Sequence, residues 1–353
     1  MTLRPVLGHD ALLERLRSSI AEGRFPQTAL LMGPRGVGKQ RVALWVAQAL
    51  LCESQAIPCG SCTSCKLVMG LSHPDLHWFV PVARLKATET DKQTGEVEQA
   101  LAEIMTERRA GGRWVAPEGA VSHPLASVRL LQRRVAMTPF RSRRKVIVLG
   151  DAERLVVQES SPEAANALLK VLEEPPPDTV ILLTAAEPQA LLPTIRSRTV
   201  PIRVAPVSDA AVRQFLEEQM DTPLGARERD QRVLLAEGAI GRVIAAGTGE
   251  GGDRDDEVSA LLAVVRKDAA AWAARALQQQ PWDARGGYTL LLDALSVRAR
   301  KGMQGRAEGG DRPGAARLAR VVSRVEQARL DAQGNRNPQL GLAVLARDLE
   351  MLS

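Results

Sequence analysis

The stretch ALLMGPRGVGKQRVALWVAQAL, Ala29 to Leu50, reads as a buried strand, a glycine-rich turn and a helix in immediate succession. Within it Gly33, Gly38 and Lys39 satisfy the frame G-x-x-x-x-G-K, with Gly36 as a further glycine of the turn. Glycines let backbone N–H groups curl around phosphate oxygens, the helix start adds positive potential, and the lysine supplies a point charge. Position 40, however, holds Gln where such loops carry the Ser or Thr whose hydroxyl ligates magnesium. Gln40 offers only an amide oxygen on a longer arm. A site for ATP or ADP at this loop is the sharp reading and a glycine turn without ligand the plain one. Present occupancy stays open between them.

Working outward, the first two hundred residues alternate short apolar runs with helical patterns, the signature of an α/β fold with a parallel sheet covered by helices. The runs TALLMG (Thr28 to Gly33), KVIVLGD (Lys145 to Asp151) and TVILLTAA (Thr179 to Ala186) read as buried central strands. The second of them ends at Asp151, the magnesium position of a phosphate-handling site. A hydrolytic site needs Glu next, to orient the attacking water, and Ala152 stands there. Glu153 follows one residue later, where continued strand geometry turns its side chain to the other face. Loss of both the loop hydroxyl and the carboxylate is hard to reconcile with efficient hydrolysis.

All four cysteines fall in CESQAIPCGSCTSC, as Cys52, Cys59, Cys62 and Cys65. Four thiolates this close, with Gly60 and small polar residues allowing tight turns, suit a closed tetrahedral zinc site of structural type. Disulfides are the alternative, and an intracellular setting argues against them. His73 and His77 lie nearby and are read as ordinary loop histidines.

The 353 residues, 45% of them hydrophobic, suffice for two or three domains. No run approaches the roughly 20 apolar residues of a membrane helix, and MTLRPVLGHD lacks a signal core, so the expected location is cytoplasmic. A net charge of +6 and a pI near 9.4 leave contact with a polyanion open, while 3% aromatics argue against base stacking as its main mode. From Ala83 to Ser122 the periodicity fails, suggesting a partly mobile insertion with one helix at Val97 to Arg108. Residues 1–206 then form the phosphate-loop domain, 207–250 a small helical unit begun by a Ser208 or Asp209 cap, and 257–353 a helix bundle. GTGEGGDRDDE reads as a flexible joint, and KGMQGRAEGGDRPG (Lys301 to Gly314) as a break in the bundle.

Two basic segments have a sharp and a plain reading. TIRSRTV places Arg196 and Arg198 on a polar link, where an arginine reaching into a neighbour's triphosphate competes with a solvated loop. RLLQRRVAMTPFRSRRK carries Arg129, Arg133, Arg134, Arg141, Arg143, Arg144 and Lys145, either a phosphate-facing cluster or a wet helix face.

In this order, the pieces resemble the clamp-loader branch of the AAA+ ATPases, which serves bacterial DNA polymerase III. The resemblance covers nearly the whole chain: GPRGVGK, the cysteine module after the loop helix, NALLKVLEEPPPDTVILLTAAEPQALLPTIRSRT and the ending NPQLGLAVLARDL. It implies an AAA+ domain with a zinc module, a helical lid and a C-terminal collar. The family motif ends Ser-Arg-Cys, so Ser197 and Arg198 match and Thr199 departs. By that match Arg198 is an arginine finger acting in trans. The motor's nucleotide-sensing lid arginine falls on Gly241 in GAIGRVI, with Arg242 one place late.

The resemblance therefore implies a stator without ATPase activity of its own, monomeric alone and part of a heteropentamer in function. Its partners would be gamma/tau motor subunits, the delta subunit, the sliding clamp and, through the assembly, primed DNA. A gamma/tau-type motor and a homo-oligomeric ATP-driven remodeller are the alternatives.

Overall fold

The computed structural model describes residues 5–87, 89–111, 121–155, 163–219, 224–247, 250–265, 269–279, 287–333 and 337–349. Contacts divide the chain into two compact units: Met1–Ile244 apart from 118–120, and Ala245–Ser353 together with 118–120.

The first unit is built on a five-stranded parallel sheet in the order β2-β5-β6-β1-β7. Its strands are β1 (Thr28–Met32), β2 (Leu76–Phe79), β5 (Lys145–Leu149), β6 (Thr179–Ala185) and β7 (Val200–Arg203). A separate antiparallel pair joins β3 (Val82–Ala83) to β4 (Val121–Ser122). Every residue of β5 and β6 is buried, which is why both read as unbroken apolar runs rather than alternating ones. The α/β class and parallel sheet are as expected, while β2 is a strand that the sequence does not announce, because LHWF mixes polar and apolar residues at a sheet edge.

Around the sheet lie α1 (Asp10–Ala21), α2 (Lys39–Leu51), α3 (Thr63–Met69), α4 (Thr90–Gly111), α5 (Leu125–Ala136), α6 (Glu163–Glu173) and the single turn α7 (Pro193–Arg196). One apolar core runs through them, with Leu30, Leu31, Val42, Val46, Leu131, Ile147, Leu168 and Ile181 at its centre. Then come α8 (Asp209–Glu218), α9 (Ala226–Ala236) and α10 (Ile240–Gly247), which enclose a small core of Val207, Val212, Leu216, Val233 and Val243. Ser208 caps α8 as expected, its hydroxyl accepting from the Ala211 N–H at 3.2 Å. Asp10 lies inside the first turn of α1; the cap position belongs to His9, whose ring turns instead to the Val37 carbonyl, 2.8 Å away.

The second unit consists of α11 (Glu250–Val265), α12 (Ala269–Leu277), α13 (Gly287–Glu308), α14 (Arg312–Gln333) and α15 (Pro338–Leu349). They pack around Leu261, Trp272, Tyr288, Leu292, Leu295, Val321 and Leu342. The Trp272 indole N–H donates to the Ala343 carbonyl at 3.2 Å, tying α12 to α15.

Three expectations change. The 83–122 insertion is not mostly irregular: α4 is a 22-residue helix, with Val97 and Leu101 in the main core, while 112–120 lie outside the described residues. The joint read at 247–257 is helical from Glu250 onward, its glycines outweighed by the buried Val258, Leu261 and Leu262 of the same helix. The break at Lys301–Gly314 shrinks to Gly309–Asp311 between α13 and α14.

Candidate functional site

The strand order places β1 between β6 and β7, and the loop leaving β1 lies at the C-terminal ends of these strands, where open α/β sheets bind ligands. Gly36 and Gly38 take φ of 80° and 95°, a region open to glycine at little cost, and Lys39 begins α2. Gly33 is required for another reason: a Cβ there would lie 2.0 Å from the Val204 carbonyl oxygen. The glycines thus allow the tight backbone turn between β1 and α2 that a phosphate loop would require. Lys39 is buried, and its Nζ donates to the Gly33 and Pro34 carbonyls at 2.9 Å each. Burial lowers its pKa, against the pull of Glu153 and Asp151.

The magnesium and hydrolytic half of the site does not fit. The Gln40 amide lies against Gly150, where an added Cβ would meet three of its atoms at 2.9 Å. Its Oε1 is buried and has no hydrogen-bond partner. The amide therefore fills ground between the loop helix and the strand end before Asp151. Ala152 is fully buried and presents only a methyl group. At the start of α10, the Gly241 N–H donates to the Gly36 carbonyl at 2.8 Å, and a Cβ on Gly241 would stand 2.6 Å from the Gly36 Cα. The start of α10 thus rests directly on the phosphate loop, an approach that only a residue without Cβ permits. Arg242 pairs with Glu237 at 2.5 Å.

Glu153 does not turn away as continued strand geometry would have it. Asp151 takes φ of 51°, and a 3₁₀ turn over Ala152–Leu155 follows, so the alternation of faces ends with β5. Glu153 Oε1 accepts the Ala186 N–H at 3.0 Å, and Oε2 is buried without a partner. Burial, with the Asp151 charge beside it, raises the carboxyl from 4.5 to about 7.

A raised acid contributes stability that is complete below its unfolded value and is lost as pH climbs through the folded one. Glu153→Gln is therefore expected to be more stable than the parent above pH 7, by up to about 3 kcal/mol, with the gain vanishing below about pH 4.5. Urea melts of both proteins from pH 4 to 8 check this. A gain that grows toward acid pH would contradict it.

The four cysteine sulfurs lie within 4.8 Å of one another, with Cys52–Cys62 and Cys59–Cys65 separations of 3.9 Å. A tetrahedral ion with metal–sulfur bonds of about 2.3 Å sets sulfurs about 3.8 Å apart, so the cluster could hold one such ion. Backbone N–H groups of Ser54, Cys59, Cys62 and Cys65 point at the sulfurs of Cys52, Cys52, Cys59 and Cys62 at 3.3–3.5 Å, the bonding that thiolates favour. Bonds of that kind from Cys62 and Ser61 lower Cys59 to about 6, while burial raises Cys65.

His73 is more than a loop histidine. It is buried, 3.1 Å from Ser64, whose hydroxyl donates to Glu53 at 2.8 Å, and Glu53 pairs with Arg141 at 3.0 Å. His77 sits in β2, where burial lowers it to about 4.

Arg198 lies in the turn after α7. Its carbonyl accepts the Thr28 hydroxyl at 2.7 Å, Nη1 donates to the Thr194 carbonyl at 3.0 Å, and Nη2 meets Glu173 Oε1 at 2.5 Å. It lines an open cleft of about 620 Å³ with Gln27, Thr28, Glu173 and Ser197. Thr28 is the first residue of β1 and the phosphate loop follows its last, so Arg198 stands a strand length, about 13 Å, from its own loop. Thr199, where the family motif has Cys, is buried and donates to the Ile195 and Arg196 carbonyls at 3.2 Å each.

The basic run divides. Arg133 pairs with Asp91, Arg134 with Glu98 and Arg141 with Glu53, and Lys145 is buried on the Arg134 and Val135 carbonyls, while Arg143 and Arg144 are exposed.

The family described as DNA polymerase III, delta subunit, matches residues 8–208. The chain is 30% identical over 217 residues to DNA polymerase III subunit delta′ of Bacillus subtilis, covering 61% of this chain and 53% of that protein. It is 34% identical over 173 residues to the delta′ subunit of Pseudomonas aeruginosa, covering 48% and 40%. To DNA polymerase III subunit tau of Escherichia coli it is 28% identical over 279 residues, covering 76% and 37%. The chain thus spans about half or less of the length of these relatives. Since the family match runs from α1 through the phosphate loop, the cysteine cluster and Arg198 to Ser208, the chain belongs to the DNA polymerase III delta-subunit family.

Proposed function

We propose that the chain is a stator subunit of the DNA polymerase III clamp loader, of the delta′ type, which does not hydrolyse ATP itself and presents Arg198 to ATP on a neighbouring motor subunit. The observation that carries this reading is the position of Arg198 at the far end of β1 from its own phosphate loop, open to a cleft rather than to its own nucleotide. An arginine so placed can act only on a nucleotide brought by another chain. Support comes from the loop itself, where Gln40, Ala152 and Gly241 replace three groups that turnover needs. The cradle of Gly33, Gly36, Gly38 and Lys39, with Asp151 nearby, is then inherited scaffold.

On this reading the partners are gamma/tau motor subunits and the delta subunit, joined through helices α11–α15, and the assembly opens the sliding clamp at primed DNA. The ion held by Cys52, Cys59, Cys62 and Cys65 is zinc, structural because four thiolates close its coordination. The setting is the cytoplasm; no described helix is long and apolar enough to cross a membrane.

The match to a tau subunit keeps a motor reading in view, and the two separate cleanly in solution. The purified chain is expected to show no DNA-stimulated ATP turnover and to remain monomeric with nucleotide, gaining a role in turnover only with motor subunits. Robust turnover alone would overturn the stator reading, and rings formed by the isolated chain would favour the homo-oligomeric remodeller.

A further inference from the structure

We propose that Glu173 is the positioning residue for Arg198, holding the guanidinium at the angle from which it meets the neighbour's triphosphate; this rests on the arginine-finger reading above. The first observation is the place of Glu173 in its own helix. It is the last residue of α6, where the carbonyl end of the helix dipole disfavours a carboxylate, so local structure gives no reason for an acid there. The reason is across the cleft: Glu173 Oε1 meets Arg198 Nη2 at 2.5 Å.

The second observation is that the platform under Glu173 is fixed. Leu168 and Leu172 anchor α6 in the main core. Three prolines, Pro175 to Pro177, forbid the helix to continue, and Gln27 Nε2 donates to the Pro176 carbonyl at 3.1 Å, latching the brake to the start of β1. Arg198 is fixed from the other side by Thr28 on its carbonyl and by the Thr194 carbonyl on Nη1. Two of the three guanidinium nitrogens are thereby turned onto the chain's own acceptors, and the remaining N–H groups are left for the cleft.

An arginine is long and rich in rotamers, and an ion pair as exposed as this one, with 34% and 47% of the two side chains accessible, adds little to folding. Orientation is what remains for the pair to supply. A finger that must be within about 0.5 Å of its productive position gains rate from such support rather than stability.

The test uses the reconstituted complex, with the other motor subunits carrying inactivated loops so that turnover reports only the site facing Arg198. Glu173→Gln is expected to lower kcat there about 10-fold with the KM for ATP unchanged. Its melting temperature should stay within about 1 °C of the parent. Glu173→Asp, which keeps the charge, is expected to recover part of the loss, and Glu173→Gln combined with Arg198→Ala to be no worse than Arg198→Ala alone. Full kcat in Glu173→Gln, where Arg198→Ala is impaired, would overturn the positioning role and leave the finger standing. A rise in kcat would overturn it too, since Glu173 would then be restraining the finger. No effect of Arg198→Ala would instead overturn the reading on which the inference rests.

Discussion

Replacing Arg198 by alanine is expected to lower ATP turnover at the neighbouring site on the order of 10³-fold, the low end of what such arginines contribute to phosphoryl transfer. On the arginine-finger reading the loss should fall on kcat, because a finger stabilises charge that develops only as the phosphoryl group transfers, and the motor's own loop would still bind the nucleotide. Arg198→Lys should rescue little, since a single ammonium cannot meet both Glu173 and a phosphate oxygen with the geometry of a planar fork. The measurement is steady-state hydrolysis in complexes in which only the site facing this chain is competent. The chain should fold normally in either variant, because Arg198 is partly exposed and its ion pair lies at the surface. Unchanged turnover would return Arg198 to a solvated loop.

Metal removal should have the largest effect on stability. Elemental analysis of protein purified under reducing conditions is expected to give one zinc per chain. Cys65→Ser, or chelation, should lower the melting temperature by about 6–12 °C, corresponding to roughly 3 kcal/mol in a unit of this size. Cys65 is the chosen position because it is fully buried in α3, where no water can replace a lost ligand.

The damage should spread beyond the cysteines. Arg17 Nε donates to the Ile57 carbonyl at 2.9 Å, tying the module to α1, and Ser64 and Glu53 link it through Arg141 to the loop before β5. That loop is held by Asp75, whose carboxylate accepts the N–H groups of Phe140, Arg141 and Ser142 at 2.5–2.8 Å. Hydrogen exchange at Phe140 to Ser142 should therefore quicken when the metal is lost. Protein that carries no metal and melts as the parent does after Cys65→Ser would sink the four-cysteine site.

Much of the arrangement was legible because it is written in short segments. Three buried strands announce themselves as apolar runs, the loop by the spacing of its glycines, and the cysteine cluster by four thiols within fourteen residues. Most of helix α4 is not announced by KATETDKQTGEVEQ, which gives little amphipathic signal, and its order comes from Val97 and Leu101 in a core that other segments build. The start of helix α11 is silent for a related reason, since paired glycines read as a joint until Val258, Leu261 and Leu262 find partners in α12 and α13.

Sequence alone determined which chemical groups the site possesses: a glycine-rich loop ending in lysine, no loop hydroxyl, no glutamate after Asp151, four thiols and an arginine beside Ser197. Those are local facts, and residue types with their spacing suffice for them. Only the tertiary structure decided where the groups point. The left-handed turn at Asp151, a residue that does not advertise one as glycine does, ended the alternation of faces and left Glu153 buried where the charges of Asp151 and Lys39 act on it. Parallel pairing of β1 with β6 and β7 set Arg198 a full strand away from its own loop. The pairing of Glu173 with Arg198, and the seat of Gly241 on Gly36, join residues 25 and 205 positions apart, a distance that no local pattern of residues can span.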